Sequence, residues 1–258
     1  MRVTVLGAGS SAGTPVIGCQ CAVCHSDNPK NKRSRCSSLI TMDDGTNILI
    51  DTSPDFKMQA MRESIDKIDA VLYTHHHADH CHGMDDLRAY CQKYKKAIPI
   101  FANQNTMTEL KLKFQYAIRE ETKFWETPVL HAQVVNQLFN IGSHEVIPLP
   151  VIHGRMEILG YRIGRFAYIT DVSEIPDSTL ELLTDVDTLM LDCLRFEPHF
   201  SHYGFKQSLA MAEKINPKRT FLIHMTHDIE YDAVSDSLPE HVFLAYDGLK
   251  LQINNNEG

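Results

Sequence analysis

Several things are scarce in this chain. Its 258 residues hold one Trp and no apolar run approaching the ~20 residues of a membrane-crossing helix, which excludes a helical membrane protein. Positive charge is also short. The 25 Lys and Arg face 33 Asp and Glu, giving a net charge of -8 and a pI near 5.9. A protein that grips long nucleic acid usually shows a basic face, so no such partner is expected. Residues 1–7 lack the basic segment and apolar core of an export signal, so a cytoplasmic protein is expected. No linker, repeat or low-complexity stretch interrupts the chain, and residues 1–258 read as a single domain, long enough to bury its core without disulfides.

Histidine and cysteine are what the chain does have. There are 14 His and 7 Cys. An odd cysteine count, with three thiols within residues 19–24, fits metal ligation in a reducing compartment better than a disulfide framework. Residues 3–6 read as a strand entering a Gly-rich loop, 7–13. That loop lacks the Gly-Lys-Ser/Thr ending of a phosphate loop and no helical pattern follows, so it reads as backbone approaching a site closely. Residues 38–42 and 47–51 flank an Asp-Gly turn and form a hairpin. Helices are expected over 54–63, 83–96, 106–119, 180–183 and 205–215. Strands are expected over 70–74, 99–102, 145–147, 158–163, 166–170, 188–192, 220–223, 242–244 and 249–253. Strands come first, then strands mixed with helices, then that alternation again. Helices covering both faces of two packed sheets satisfy this order, an α/β (α+β) architecture.

The central motif is Thr74-His75-His76-His77-Ala78-Asp79-His80, directly after an apolar strand. His75 and His77, two apart in an extended turn, can converge on one ion, and Asp79 and His80 can turn to a second. Imidazole mixed with carboxylate suits zinc, iron or manganese, and an Asp in the set favours a site that keeps water, as a hydrolase needs. A solvated tag would sit at a terminus, and this cluster sits at a strand-to-helix junction.

The pattern His75-x-His77-x-Asp79-His80 resembles the metallo-β-lactamase superfamily. The resemblance extends to His153 after residues 149–152, Asp171 after the strand 166–170, His224 after the strand 220–223, and Asp51 as a supporting acid. It implies an αββα four-layer sandwich. It also implies two divalent cations (zinc, manganese or iron), one on His75, His77 and His153, the other on Asp79, His80 and His224, with Asp171 bridging. The acid at 171 departs from the best-known true β-lactamases, which carry Cys there.

Cys19, Cys21 and Cys24 are too close together for unstrained disulfides but can wrap one zinc if a fourth ligand arrives. His227, three residues after His224, is the first choice and His25 the rival. With this Cys3His set the chain resembles PhnP-type phosphodiesterases, with a structural zinc pinning the loop at 14–36. In that group a histidine near His202 faces the substrate phosphate, which implies a general acid there, with His199 as the loop alternative. The resemblance implies hydrolysis of a small, cyclic ribosyl or nucleotide phosphodiester by metal-activated hydroxide, Asp79 and Asp171 taking part. The His-Glu-Ala-Thr pattern and basic insertion of tRNA 3′-processing nucleases are missing. Other readings are a glyoxalase II-type thioesterase, a PqqB-like protein and a non-catalytic metal or nucleotide sensor. The substrate is expected to be the main partner, with no membrane and a homodimer compatible with the family.

Overall fold

The computed structural model describes residues 1–118 and 129–254. Strands β1 (Arg2–Gly7), β2 (Ser37–Thr41), β3 (Asn47–Ile50), β4 (Ala70–Leu72), β5 (Ile98–Ala102) and β6 (Leu130–Val134) come first. They are followed by β7 (Phe139–Ile141), β8 (His144–His153), β9 (Met156–Ile163), β10 (Phe166–Ile169), β11 (Thr188–Asp192), β12 (Arg219–Ile223), β13 (Val242–Leu244) and β14 (Lys250–Gln252). Among the described residues they make two seven-stranded sheets, in the orders β14-β1-β2-β3-β4-β5-β6 and β13-β12-β11-β10-β9-β8-β7. Both sheets share one plan. Antiparallel pairing along β14-β1-β2-β3 gives way to parallel pairing along β3-β4-β5-β6. The second sheet repeats this, antiparallel along β7-β8-β9-β10 and parallel along β10-β11-β12-β13.

The period-two alternation of strand side chains decides which face each residue covers. In β3, Ile48 and Ile50 enter the core between the sheets with Tyr161, Phe166, Tyr168 and Phe221. Leu49, between them in sequence, faces the other way, onto Phe56, Leu87, Met107 and Leu110. In β11, Met190 joins the inter-sheet core, while Leu189 and Leu191 pack outward with Ile175, Leu183 and Tyr203. Helices α1 (Phe56–Arg62), α2 (Ala78–Cys81), α3 (Leu87–Tyr94) and α4 (Gln104–Lys113) belong to the first half. Helices α5 (Asp177–Leu182), α6 (Phe205–Ile215) and α7 (Tyr231–Ser235) belong to the second. Helix, sheet, sheet, helix is the four-layer sandwich the sequence implies.

Several boundaries differ. The helix expected over 83–96 is a 3-10 turn, Met84–Asp86, followed by α3, which stops where Lys95 turns left-handed with φ 49°. The helix expected over 106–119 runs Gln104–Lys113, because Asn103 caps it by accepting from the Thr106 N–H; residue 119 lies outside the described residues. The first helix begins at Phe56, two residues later than expected, and Leu183 stands just past the end of α5. The Asp-Gly hairpin forms as expected, with Gly45 at φ 84°. Gly9 in the Gly-rich loop permits close approach, but to its own chain. A Cβ there would lie 2.8 Å from the Arg33 carbonyl and 2.9 Å from that of Ser34.

Candidate active site

Six of the strands end at one edge, and the groups that carry chemistry hang from those ends, where open α/β sheets bind ligands. Asp51 follows β3, residues 75–80 follow β4, and His153 ends β8. Asp171 lies just beyond β10, Asp192 ends β11 and His224 follows β12. Asp51, Asp171 and His224 adopt left-handed backbone, with φ of 59°, 54° and 60°. For residues with a Cβ this costs on the order of 1–2 kcal/mol each, so the fold spends stability to turn these three side chains into the edge.

The short helix α2, not anticipated from the sequence, carries Asp79 and His80 side by side. His77 is its N-cap, so the extended turn holding His75 and His77 feeds straight into it. Two groups of ligand atoms result, His75, His77, His153 and Asp171 in one, and Asp79, His80, Asp171 and His224 in the other; within each, the atoms lie within 4.8 Å of one another. Asp171 belongs to both, with Oδ2 3.7 Å from His75 Nε2 and Oδ1 3.3 Å from His80 Nε2.

The details fit cation ligation better than hydrogen bonding. His80 Nε2 is buried and has no hydrogen-bond partner, yet carboxylate oxygens of Asp79 and Asp171 lie 3.2 and 3.3 Å away. Ligands of a tetrahedral ion stand about 3.3–3.7 Å apart when each is 2.0–2.3 Å from it. His80 Nε2 therefore faces two carboxylates at ligand spacing without a hydrogen bond to either. The opposite ring nitrogens are tied down. His80 Nδ1 donates to Asp51 Oδ2 at 2.7 Å, and Asp51 also accepts from the Thr74 N–H and hydroxyl. His153 Nδ1 donates to the Ser201 carbonyl at 2.7 Å. Each tie leaves Nε2 as the free ligand atom.

Charge is divided unevenly. Burial holds His75, His77 and His153 below the usual imidazole value, so all three stand neutral, ready to bind a cation. Burial also opposes charge on His80 and His224, but the carboxylates around them, Asp171 first, raise both. Burial favours the protonated form of Asp171 and Asp79, yet His224 and His80 around the first, and His80 and His224 around the second, outweigh it and hold both below the ordinary carboxylate range.

Asp192 carried no role in the sequence reading. Its Oδ2 accepts from His202 Nδ1 at 3.1 Å, the Val172 N–H at 3.0 Å and the Tyr203 N–H at 3.3 Å, and its Oδ1 lies 3.6 Å from His224 Nδ1. His202 Nε2 then faces Asp171 Oδ2 at 3.8 Å, and its ring stacks on His224 with centroids 5.0 Å apart and planes 10° apart. One signal was available: an acid closing an apolar strand, as Asp171 nearly does after β10.

A second cluster sits beside the first. His227 Nδ1 lies 3.2, 3.3 and 3.4 Å from the sulfurs of Cys19, Cys21 and Cys24. His25, the rival fourth member, lies apart and exposed, its Nδ1 3.2 Å from the Cys21 carbonyl. The Cys24 N–H, the largest influence, lowers the Cys21 thiol to about 6, while burial raises that of Cys24. The loop is sewn to the main site's segment. Ser10 N–H donates to the Met225 carbonyl and Met225 N–H to that of Ala8. Arg33, 1% exposed, donates to the carbonyls of Thr226 and Ile229.

Comparison with known proteins agrees with this geometry. The family model described as "Beta-lactamase superfamily domain" matches residues 46–225. A crystal structure described as a new diphosphatase from the PhnP family is 42% identical, with a TM-score of 0.91 over 98% of both chains. Zn(2+)-bound PqqB from Methylobacterium extorquens shares the fold, with a TM-score of 0.80 at 19% identity over 98% of this chain and 100% of that one. A curated Porphyromonas gingivalis protein named octanoyltransferase is 38% identical over 98% of this chain, which spans 52% of that protein's length. Proteins of this fold bind divalent metals. The chain belongs to the metallo-β-lactamase superfamily of hydrolases, as a member of its PhnP family.

Proposed function

We propose that the protein is a phosphoric diester hydrolase that takes a small, cyclic ribosyl or nucleotide substrate. The observation that carries this reading is the pair of ligand groups sharing Asp171, with His202 held over the shared carboxylate by Asp192. His75, His77 and His153 would hold one divalent cation (zinc, manganese or iron), and Asp79, His80 and His224 the other, with Asp171 between them. Bound there, the two cations would supply Lewis acidity and make hydroxide available near neutral pH. The chain's own residues do the rest. Asp51 and the Ser201 carbonyl fix the rings of His80 and His153. Asp192 accepts from His202 Nδ1 and aims Nε2 into the site, and it is the imidazolium form, with both ring nitrogens protonated, that would deliver the Nε2 proton to the departing oxygen. Cys19, Cys21, Cys24 and His227 would hold a structural zinc. The net charge of -8 supports a small substrate over long nucleic acid. The relative described as a diphosphatase supports attack at phosphorus.

A second reading, hydrolysis of an acyl ester or thioester, draws on the relative named octanoyltransferase. One panel separates the two. Metal-loaded protein should cleave bis-p-nitrophenyl phosphate and 2′,3′-cyclic nucleotides, and leave S-lactoylglutathione and an octanoyl thioester intact. Turnover of the thioesters alone favours the second reading, and no turnover at all with metals bound favours a sensor. Within the panel, Asp192→Asn should lower kcat on cyclic nucleotides about 10²-fold. It should cost much less with p-nitrophenolate, which departs without a proton.

A further inference from the structure

The loop between β11 and α6 carries His202, and it also carries an anomaly. Phe200 is 82% exposed. Solitary surface hydrophobics are common, but this ring is held in place and stands beside the site. The loop is closed at its base, where Leu194 N–H donates to the Tyr203 carbonyl at 3.0 Å and Phe205 N–H to that of Arg195 at 2.8 Å. Phe196, on the same loop, leans on Phe205 at 5.2 Å, which leaves Phe200 as the ring turned out to solvent.

Two contacts fix its position against the site. One is Gly154, next to His153. Gly154 has φ +63°, and a Cβ there would lie 3.4 and 3.6 Å from Phe200 Cε2 and Cδ2. The ring therefore rests over bare backbone beside His153. The other is His199, whose ring centroid is 4.7 Å from that of Phe200 and 5.3 Å from that of His202. A row of rings, Phe200, His199, His202 and His224, leads from solvent to the shared carboxylate, and its outer member, 82% exposed, is the most open of the four.

We propose that Phe200 is a specificity-determining residue, a platform on which the flat organic group of the substrate, a nucleobase, stacks while its phosphate lies at His202 and Asp171. This rests on the phosphodiesterase reading and narrows its substrate class to nucleotides. Stacking is sequence-tolerant, because every base has a π-face, so purine and pyrimidine nucleotides should both be accepted.

The test compares two five-membered cyclic phosphodiesters, adenosine 2′,3′-cyclic phosphate and glycerol 1,2-cyclic phosphate, which has no base. The metal-loaded wild type should prefer the adenosine compound in kcat/KM. Phe200→Ala should shrink that preference about 5- to 150-fold, the range for losing one base–aromatic stack, mostly through KM, and Phe200→Trp should keep it. A preference that survives Phe200→Ala overturns the platform and leaves the hydrolase reading standing. So does an equal loss on both substrates, or a changed self-association without a changed KM. If the wild type cleaves neither compound, the phosphodiesterase reading falls. Calorimetric titration with adenosine 5′-monophosphate then decides, since equal affinity in wild type and Phe200→Ala overturns the platform.

Discussion

His224 and His227 sit three residues apart on one segment and face two different kinds of cluster. Around His227 stand three sulfurs from one six-residue stretch, all within 3.4 Å of its Nδ1. Four donors complete a tetrahedral shell and leave no room for water, the pattern of a structural zinc. Around His224 stand an Asp and a His from α2 and one carboxylate from beyond β10, and that carboxylate also serves a second group. A cluster whose members are shared, with a tethered histidine over the shared member, suits bound water and turnover. The contrast shows how one strand end can serve two purposes. On the proposed function, the closed cluster would fix the segment and the open one would work from it.

The sharpest way to break the comparison is to remove the shared carboxylate. Asp171→Ala should lower hydrolysis by at least about 10³-fold, since the Lewis-acid contribution it helps hold amounts to several kcal/mol. Far-ultraviolet circular dichroism should be unchanged, and metal content should fall from about three per chain towards one. Retained activity would mean that the open cluster is not where chemistry occurs. Cys21→Ser attacks the other side. It should release the structural zinc and cost about 4 kcal/mol, hence roughly 8–16 °C of Tm for a domain of this size, with activity at low temperature falling only as the folded fraction falls. If Tm and zinc content both survived, the cysteine loop would hold nothing.

The same contrast explains what the sequence could and could not reveal. Cys19, Cys21 and Cys24, like His75 to His80, are local, and local spacing is visible in one dimension. Two packed sheets covered by helices were legible in the order of strands and helices, and the αββα sandwich through the resemblance. His153, Asp171 and His224 were legible only through resemblance, since spacing alone gives three unrelated strand ends. Asp192 was legible only as an acid closing an apolar strand. Its role is set by where β11 stops relative to β12 and by the loop that brings His202 back over it, both tertiary facts. The Ser201 carbonyl is a backbone group and leaves no mark in a sequence. Helix α2 was hidden because its four residues, Ala78–Cys81, are too short for a periodic signal.

Acidification should separate the clusters last and most gently. A cation must displace any proton its ligands hold. His80 and His224 are raised by surrounding carboxylates, so each keeps its proton to higher pH than an ordinary imidazole; the cation has to expel that proton, and falling pH makes that harder. His75, His77 and His153 are lowered by burial and take up such a proton only at lower pH than an ordinary imidazole. Cys21, lowered to about 6 chiefly by the Cys24 N–H, is already a thiolate above that value, although Cys24, raised by burial, must still give up a proton when zinc arrives. Between pH 8 and 6, therefore, the cation on Asp79, His80 and His224 should weaken first. The one on His75, His77 and His153 should weaken less. Dialysis at stepped pH followed by elemental analysis would read this directly. Loss of the cation on His75, His77 and His153 before the one on Asp79, His80 and His224 would overturn this order.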